Sequence, residues 1–144
     1  MPITNFPFLQ TSPNSIQRPM LIIRITNPES GYSINTTGVI DTGADACAVP
    51  ASFASILGLD LKTGRPKPVG TGNGLTTAFT HECRMDVYHT ERLWQGDSEP
   101  IYSTNMEFDF MENLPVVLIG VGDFLCQFLL CIDYKAKLFS VRYI

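Results

Sequence analysis

The sequence has no cluster of lysine and arginine. Its 10 basic residues are scattered and outnumbered by 14 acidic ones, for a formal net charge of -4 and a pI of about 5.0. A nucleic-acid-binding surface needs a basic footprint, and none is present, so no nucleic-acid partner is expected. The same lack removes a basic patch that could hold the chain to anionic lipid. Long hydrophobic runs are missing too. The two longest, 115–119 and 124–132, fall far short of the ~20 residues that a membrane-spanning helix requires. The N-terminus has no basic segment followed by an apolar one, so no secretory signal is expected and a cytoplasmic setting is the default. There are 4 cysteines, Cys47, Cys83, Cys126 and Cys131, and no CxxC pair among them. Scattered cysteines of this kind read as reduced, buried small hydrophobes rather than as a disulfide framework. The 2 histidines, His81 and His89, lie in no nucleophile context. With Cys83 they match no strong zinc spacing, so no metal is assigned. Internal repeats and long low-complexity stretches are also absent.

What is there is a succession of short strands. The chain is 144 residues long, enough for one domain with a core of its own. Three prolines, Pro2, Pro7 and Pro13, interrupt any helical period before residue 17, which makes that stretch an extended arm. Residues 20–26 are apolar and β-rich. Asn27-Pro28-Glu29-Ser30-Gly31 is a turn cluster, and 32–40 resumes strand character, giving a hairpin. A short helix is expected in 50–59, stopping at Gly58. Residues 62–68 read as a Pro/Gly-rich connector, and 69–88 as strand, glycine-rich bend and strand. Cys83, Met85 and Val87 alternate with polar residues, the period of a half-buried strand. The polar stretch 89–100, with Trp94, reads as a solvated loop. A strand follows over 101–110, with Met106, Phe108 and Phe110 on one face. Then come a short buried strand at 116–119, a short helix within 122–128 with Asp123 at its start, and a terminal hairpin from 128–133 and 137–144. This pattern specifies an all-β barrel or sandwich with one or two short helices.

One motif could carry chemistry. Val39-Ile40-Asp41-Thr42-Gly43 sets a carboxylate directly after a buried-looking strand and before a tight turn. Taken alone, Asp-Thr-Gly is also an ordinary turn, because Asp and Gly favour turns for conformational reasons. Its companions distinguish it. Val39-Ile40-Asp41-Thr42-Gly43-Ala44-Asp45 resembles the active-site motif of retropepsins, the single-domain dimeric aspartic peptidases. Gln17-Arg18-Pro19-Met20-Leu21-Ile22-Ile23-Arg24 resembles the opening strand of retroviral proteases. Val69-Gly70-Thr71-Gly72-Asn73-Gly74 falls where that family has its glycine-rich flap. Val117-Leu118-Ile119-Gly120 resembles the segment that crosses behind the active-site loop. The matched pieces run in order from residue 17 to 144, after an N-terminal extension arm at 1–16.

The resemblance implies a retropepsin-like acid-protease barrel and a mechanism. Two carboxylates about 3 Å apart cannot both ionise, so they share one proton, as in aspartic proteases generally. One takes a proton from the attacking water while the other polarises the scissile carbonyl. No cofactor is needed. This chain has a single Asp-Thr-Gly, so the second carboxylate must come from another copy in a two-fold homodimer. By this resemblance Asp41 is the catalytic carboxylate, Thr42 locks the two loops and Gly43 offers its backbone. Ala44, Asp45, Gly72, Asn73 and Gly74 bind a peptide or protein substrate, and Asp45 can pair with Arg18 of the second copy. The sequence departs from the family at Val121-Gly122-Asp123, which carries one residue more than the family's pattern and no arginine. That departure leaves open a rival reading, a non-catalytic dimerisation or peptide-binding module on the same fold.

Overall fold

The computed structural model describes residues 3–89 and 99–144; Trp94 and residues 90–98 of the polar stretch lie outside them. Among the described residues the chain forms ten strands and one short α-helix. They are β1 (Ile3–Pro7), β2 (Met20–Thr26), β3 (Ser33–Ile40), β4 (Ala48–Pro50), α1 (Phe53–Ile56), β5 (Arg65–Thr71), β6 (Gly74–Tyr88), β7 (Tyr102–Met111), β8 (Val117–Ile119), β9 (Phe128–Asp133) and β10 (Leu138–Tyr143). No helix among these residues is long and apolar enough to cross a membrane.

Six strands close on themselves in the order β2-β3-β8-β4-β7-β6, with β6 returning to pair with β2. Closure removes the open edges that a flat sheet would expose. The β2–β3 hairpin follows the pattern of its sequence, with Met20 opposite Val39 and Thr26 opposite Ser33. Its turn is anchored to the far end of α1. The Asn27 side-chain amide donates to Leu57 O at 2.9 Å, and the Ser30 hydroxyl donates to the same oxygen at 2.8 Å. Gly58 then ends the helix at a φ of +71°, where a side chain would be strained. β3 runs parallel to β8, with Gly38 opposite Val117 and Ile40 opposite Ile119. A Cβ on Gly38 would stand 2.7 Å from the Ile119 side chain, so glycine is what lets the two strands close.

The barrel interior is filled by Leu21, Ile23, Ile25, Val49, Cys83, Met85, Val87, Phe108 and Phe110, all buried. The alternation over β6 and the Met106-Phe108-Phe110 face of β7 therefore do what their periods imply. A second sheet, ordered β1-β10-β9, is joined to the barrel by aromatic side chains. Phe124 bridges Tyr102 of β7 and Phe128 of β9, with ring centroids 5.9 and 5.1 Å apart, and within the second sheet Phe139 meets Phe6 edge-on at 5.6 Å.

Several expectations need correction. Residues 65–68 form part of strand β5 rather than a connector. β5 is the outermost strand of its sheet, and an edge tolerates Pro66 and Pro68 because no partner needs their missing N–H groups. The helix expected within 122–128 is a single 3-10 turn at Leu125–Gln127. Asp123 contributes its backbone carbonyl, which accepts from the Gln127 side-chain amide at 2.6 Å, and makes no side-chain cap. Cys126 and Cys131 are exposed, whereas Cys47 and Cys83 are buried as expected, and all four thiols are free. The N-terminal arm is extended, as its prolines require, and it is also docked. Ile3 and Phe8 are buried, and β1 pairs antiparallel with β10.

Candidate active site

Asp41 follows directly on β3, and three neighbouring segments hold it. The amide of Ile40 donates to Pro19 O at 3.0 Å, and the amide of Asp41 donates to Ile119 O at 3.0 Å. The end of β8 thus fixes the backbone from which the carboxylate springs. Asp41 Oδ1 accepts from the Gly43 amide at 2.9 Å, an Asx turn that orients the carboxylate without a second side chain. The carboxylate is half-buried, while Thr42 and Gly43 are exposed.

The loop is clamped from behind by the stretch in which the sequence departs from the family pattern. Val121 N donates to Ala44 O at 2.9 Å, and Gly122 N donates to Asp45 O at 2.7 Å. A Cβ on Gly120 would collide with the carbonyl oxygen of Ala46, and one on Gly122 with that of Asp45. Both glycines are therefore demanded by close backbone approach. The added residue is absorbed in a turn that gives the loop two hydrogen bonds. Behind it, the Gly120 amide donates to Cys47 Sγ at 3.3 Å. Burial pushes the Cys47 thiol up to about 11, an effect the Gly120 amide partly opposes.

Across from this loop stands the β5–β6 hairpin. Its turn is closed by the Thr71 hydroxyl, which donates to Gly74 O at 2.8 Å and accepts from the Asn73 amide at 3.2 Å. Gly74 has a φ of +104°, a conformation that L side chains rarely adopt. The tip residues are exposed, Leu75 among them.

Between loop and hairpin lies a cleft of about 500 Å³. Of the residues singled out from sequence, Asp41, Gly43, Ala44, Asp45 and Gly72 line it; Thr42, Asn73 and Gly74 do not. Other lining residues escaped the sequence reading. Ala48 and Met111 are buried in a small apolar cluster, separate from the barrel core, against which Val69, Leu114 and Leu118 pack. Lys67 and Asp109 form an ion pair in the same cleft. The sequence did not single Asp109 out, since it continues the polar face of Ser103, Asn105 and Glu107 on its strand, and it gave no sign of its partner.

The metal candidates resolve differently. His81 Nε2 lies 2.9 Å from Leu61 O, and its ring meets Phe110 edge-on at 5.2 Å. Among the described residues no group of three or more His, Cys, Asp or Glu could hold a metal ion.

This architecture is retropepsin-like: a closed β-barrel with one Asp-Thr-Gly loop facing a hairpin across a cleft. Over 89% of its length the chain is similar to a retropepsin-like aspartic protease from Rickettsia conorii, covering 97% of that chain with a TM-score of 0.53 and 19% sequence identity. It also resembles the EIAV protease complexed with the inhibitor HBY-793, with a TM-score of 0.39 and 19% identity over 76% of this chain and 88% of that one. No protein-family model and no curated protein matches the sequence. At 19% identity the likeness to the Rickettsia conorii protein is one of fold.

Proposed function

We propose that the chain is an aspartic endopeptidase whose active site is completed by a second copy of itself. The observation that carries this reading is the Asp41 loop, with its carboxylate oriented by the Gly43 amide and directed by the β3–β8 pairing to the wall of a peptide-sized cleft. A two-fold axis through this loop would bring two Asp41 carboxylates together as a dyad sharing one proton. The ionised carboxylate takes a proton from water as the water oxygen adds to the scissile carbonyl carbon. The protonated carboxyl gives its proton to the carbonyl oxygen, forming a gem-diol. Collapse of that intermediate breaks the C–N bond and passes a proton to the departing amine.

The substrate lies extended between loop and hairpin, bonded through its backbone like an added strand. Gly43, Ala44 and Asp45 face it from below and Gly72 from the hairpin, with Asn73 and Gly74 as the tip that closes over it. Thr42 lies on the exposed side of the loop, where its hydroxyl can both donate to and accept from the second copy. Arg18 of that copy is the proposed partner of Asp45. The rival reading, a non-catalytic binding module, drew on the departure at Val121-Gly122-Asp123. The two hydrogen bonds which that turn gives the loop favour the peptidase instead.

The test is peptide cleavage at mildly acid pH, compared with Asp41→Asn. Asparagine keeps an oxygen for the Gly43 amide but cannot ionise. The expected result is cleavage by the parent chain and loss of at least about a thousandfold in kcat for the variant, with its melting temperature little changed. Equal cleavage by both proteins overturns the mechanism. Peptide binding without cleavage by either supports the rival module.

A further inference from the structure

The cleft holds one ion pair that the proposed chemistry does not use. Lys67 on β5 donates from Nζ to Asp109 Oδ2 at 2.9 Å, and Asp109 Oδ1 accepts from the Thr80 hydroxyl at 3.1 Å. The partners are unequally buried, with side-chain exposures of 41% for Lys67 and 8% for Asp109. An ammonium has three N–H donors, and the contact with Asp109 uses one of Lys67's. The carboxylate is sunk among Thr80 and the strand backbone, with both of its oxygens engaged. The free hydrogen-bonding capacity of the pair therefore belongs to the cation.

The strand register explains why this charge sits in the cleft. Lys67 lies opposite Ala78, and Asp109 lies opposite Thr80 on one side and beside Ala48 on the other. Phe108 and Phe110 occupy the alternate positions and fill the barrel, so Asp109 is left on the cleft side. Around the pair, Ala48, Val69, Met111, Leu114 and Leu118 make an apolar wall.

We propose that this part of the cleft is a specificity pocket for a substrate side chain with an aliphatic stem and a hydrogen-bond acceptor at its end, namely glutamate or glutamine. The stem lies on the apolar wall and the terminal oxygen accepts from the free N–H groups of Lys67. An aliphatic side chain of the same length strips water from Lys67 and returns no acceptor. Lysine or arginine meets the ammonium with like charge and finds Asp109 already neutralised. The assignment rests on the cleft being the substrate site proposed above.

A position-scanned peptide library, read as kcat/KM, tests it on the full chain. At one substrate position glutamate and glutamine are expected to exceed leucine and methionine by about tenfold, a modest factor because Lys67 is partly solvated, with lysine and arginine poorest. Lys67→Ala removes the donor and uncovers Asp109, so the order at that position alone should invert in favour of lysine and arginine. Lys67→Arg should retain the parental order. A purely structural role for the ion pair would lower the melting temperature and leave the ratios untouched. Library cleavage with no acceptor preference at any position, or a preference unmoved in Lys67→Ala, overturns the pocket assignment and spares the peptidase reading. If nothing is cleaved, that reading fails. The same ratios measured as Kd by fluorescence anisotropy then decide the pocket, and equal Kd values for the glutamate and leucine peptides overturn it.

Discussion

Gly120 shows how a single position can govern the site without touching a substrate. Its Cα passes so close to the Asp41 loop that a methyl group would overlap the backbone oxygens of Ala46 and Ala44. Backbone cannot rotate aside as a side-chain end can, so Gly120→Ala must displace the loop. The expected cost is about 3 kcal/mol, at the upper end for overpacking, measured as a shift of the urea midpoint. Gly70 is the contrast, because a Cβ there meets nothing within 4 Å, and Gly70→Ala is expected to leave the midpoint in place. The buried thiols make a second residue-level prediction. Burial raises Cys47 and Cys83 from 9.0 to about 11. The unfolded chain therefore loses these protons first, and stability falls as pH rises from about 9 to about 11, by roughly 2–3 kcal/mol per thiol on the linkage relation. Cys83→Ala should flatten the urea-midpoint profile over that window relative to the parent, after allowance for its own constant loss. An unchanged slope would contradict the burial argument.

Among the elements, the β1–β10 pairing was the least expected. The sequence marks the stretch before residue 17 as extended, and β1 is a strand as that requires. Its partner is the C-terminal strand of the same chain, with Ile3 opposite Val141 and Phe6 opposite Phe139. The N-terminal strand therefore has an intrachain partner. The arm is thus part of the folded unit, and Ile3→Ala should cost about 2–5 kcal/mol, as for a core residue, read by chemical denaturation at a fixed protein concentration. A loss below 0.5 kcal/mol, the range typical of a surface position, would show the arm to be a loose appendage. β5 teaches a related lesson. Its two prolines argue against a strand interior, yet they suit an edge, and only the sheet order reveals that β5 is one.

For the whole molecule, the proposed peptidase site makes a demand. One chain supplies one Asp41, so activity should follow the concentration of dimer. Exposed apolar side chains stand close in the chain to the Asp41 clamp and at the end of the terminal sheet: Val121, Leu129, Tyr143 and Ile144. Leu129 lies opposite Arg142, and Tyr143 opposite Phe128, the first residue of β9. Tyr143 therefore shares a face with Phe128, and Leu129 stands on the opposite face, where a second copy docking at this end of the sheet would bury it. Specific activity is therefore expected to fall on dilution in step with dimer dissociation measured by sedimentation. Leu129→Asp should shift both curves to higher concentration while leaving the monomer folded. Full activity in a sample that sediments as monomer would remove the dimer requirement.

How much of this was legible beforehand depends on range. The β2–β3 hairpin, the alternation along β6 and β7, the Gly58 stop and the Asp-Thr-Gly turn are local. Each is written in a period or a turn preference spanning a few residues, and each stands in the structure where the sequence placed it. The order of these pieces was enough to identify the retropepsin-like fold. Tertiary structure decided the rest. It joined β1 to β10 across 135 residues through Asn5 and Ser140, and brought Lys67 to Asp109 across 42. It also exposed Cys126 and Cys131, and turned the unmatched Val121-Gly122 into a clamp on the Asp41 loop. The physical reason is common to all four. A residue's period tells which face it occupies, but which face it meets depends on how the barrel and the terminal sheet assemble, and that is set by contacts beyond the local period.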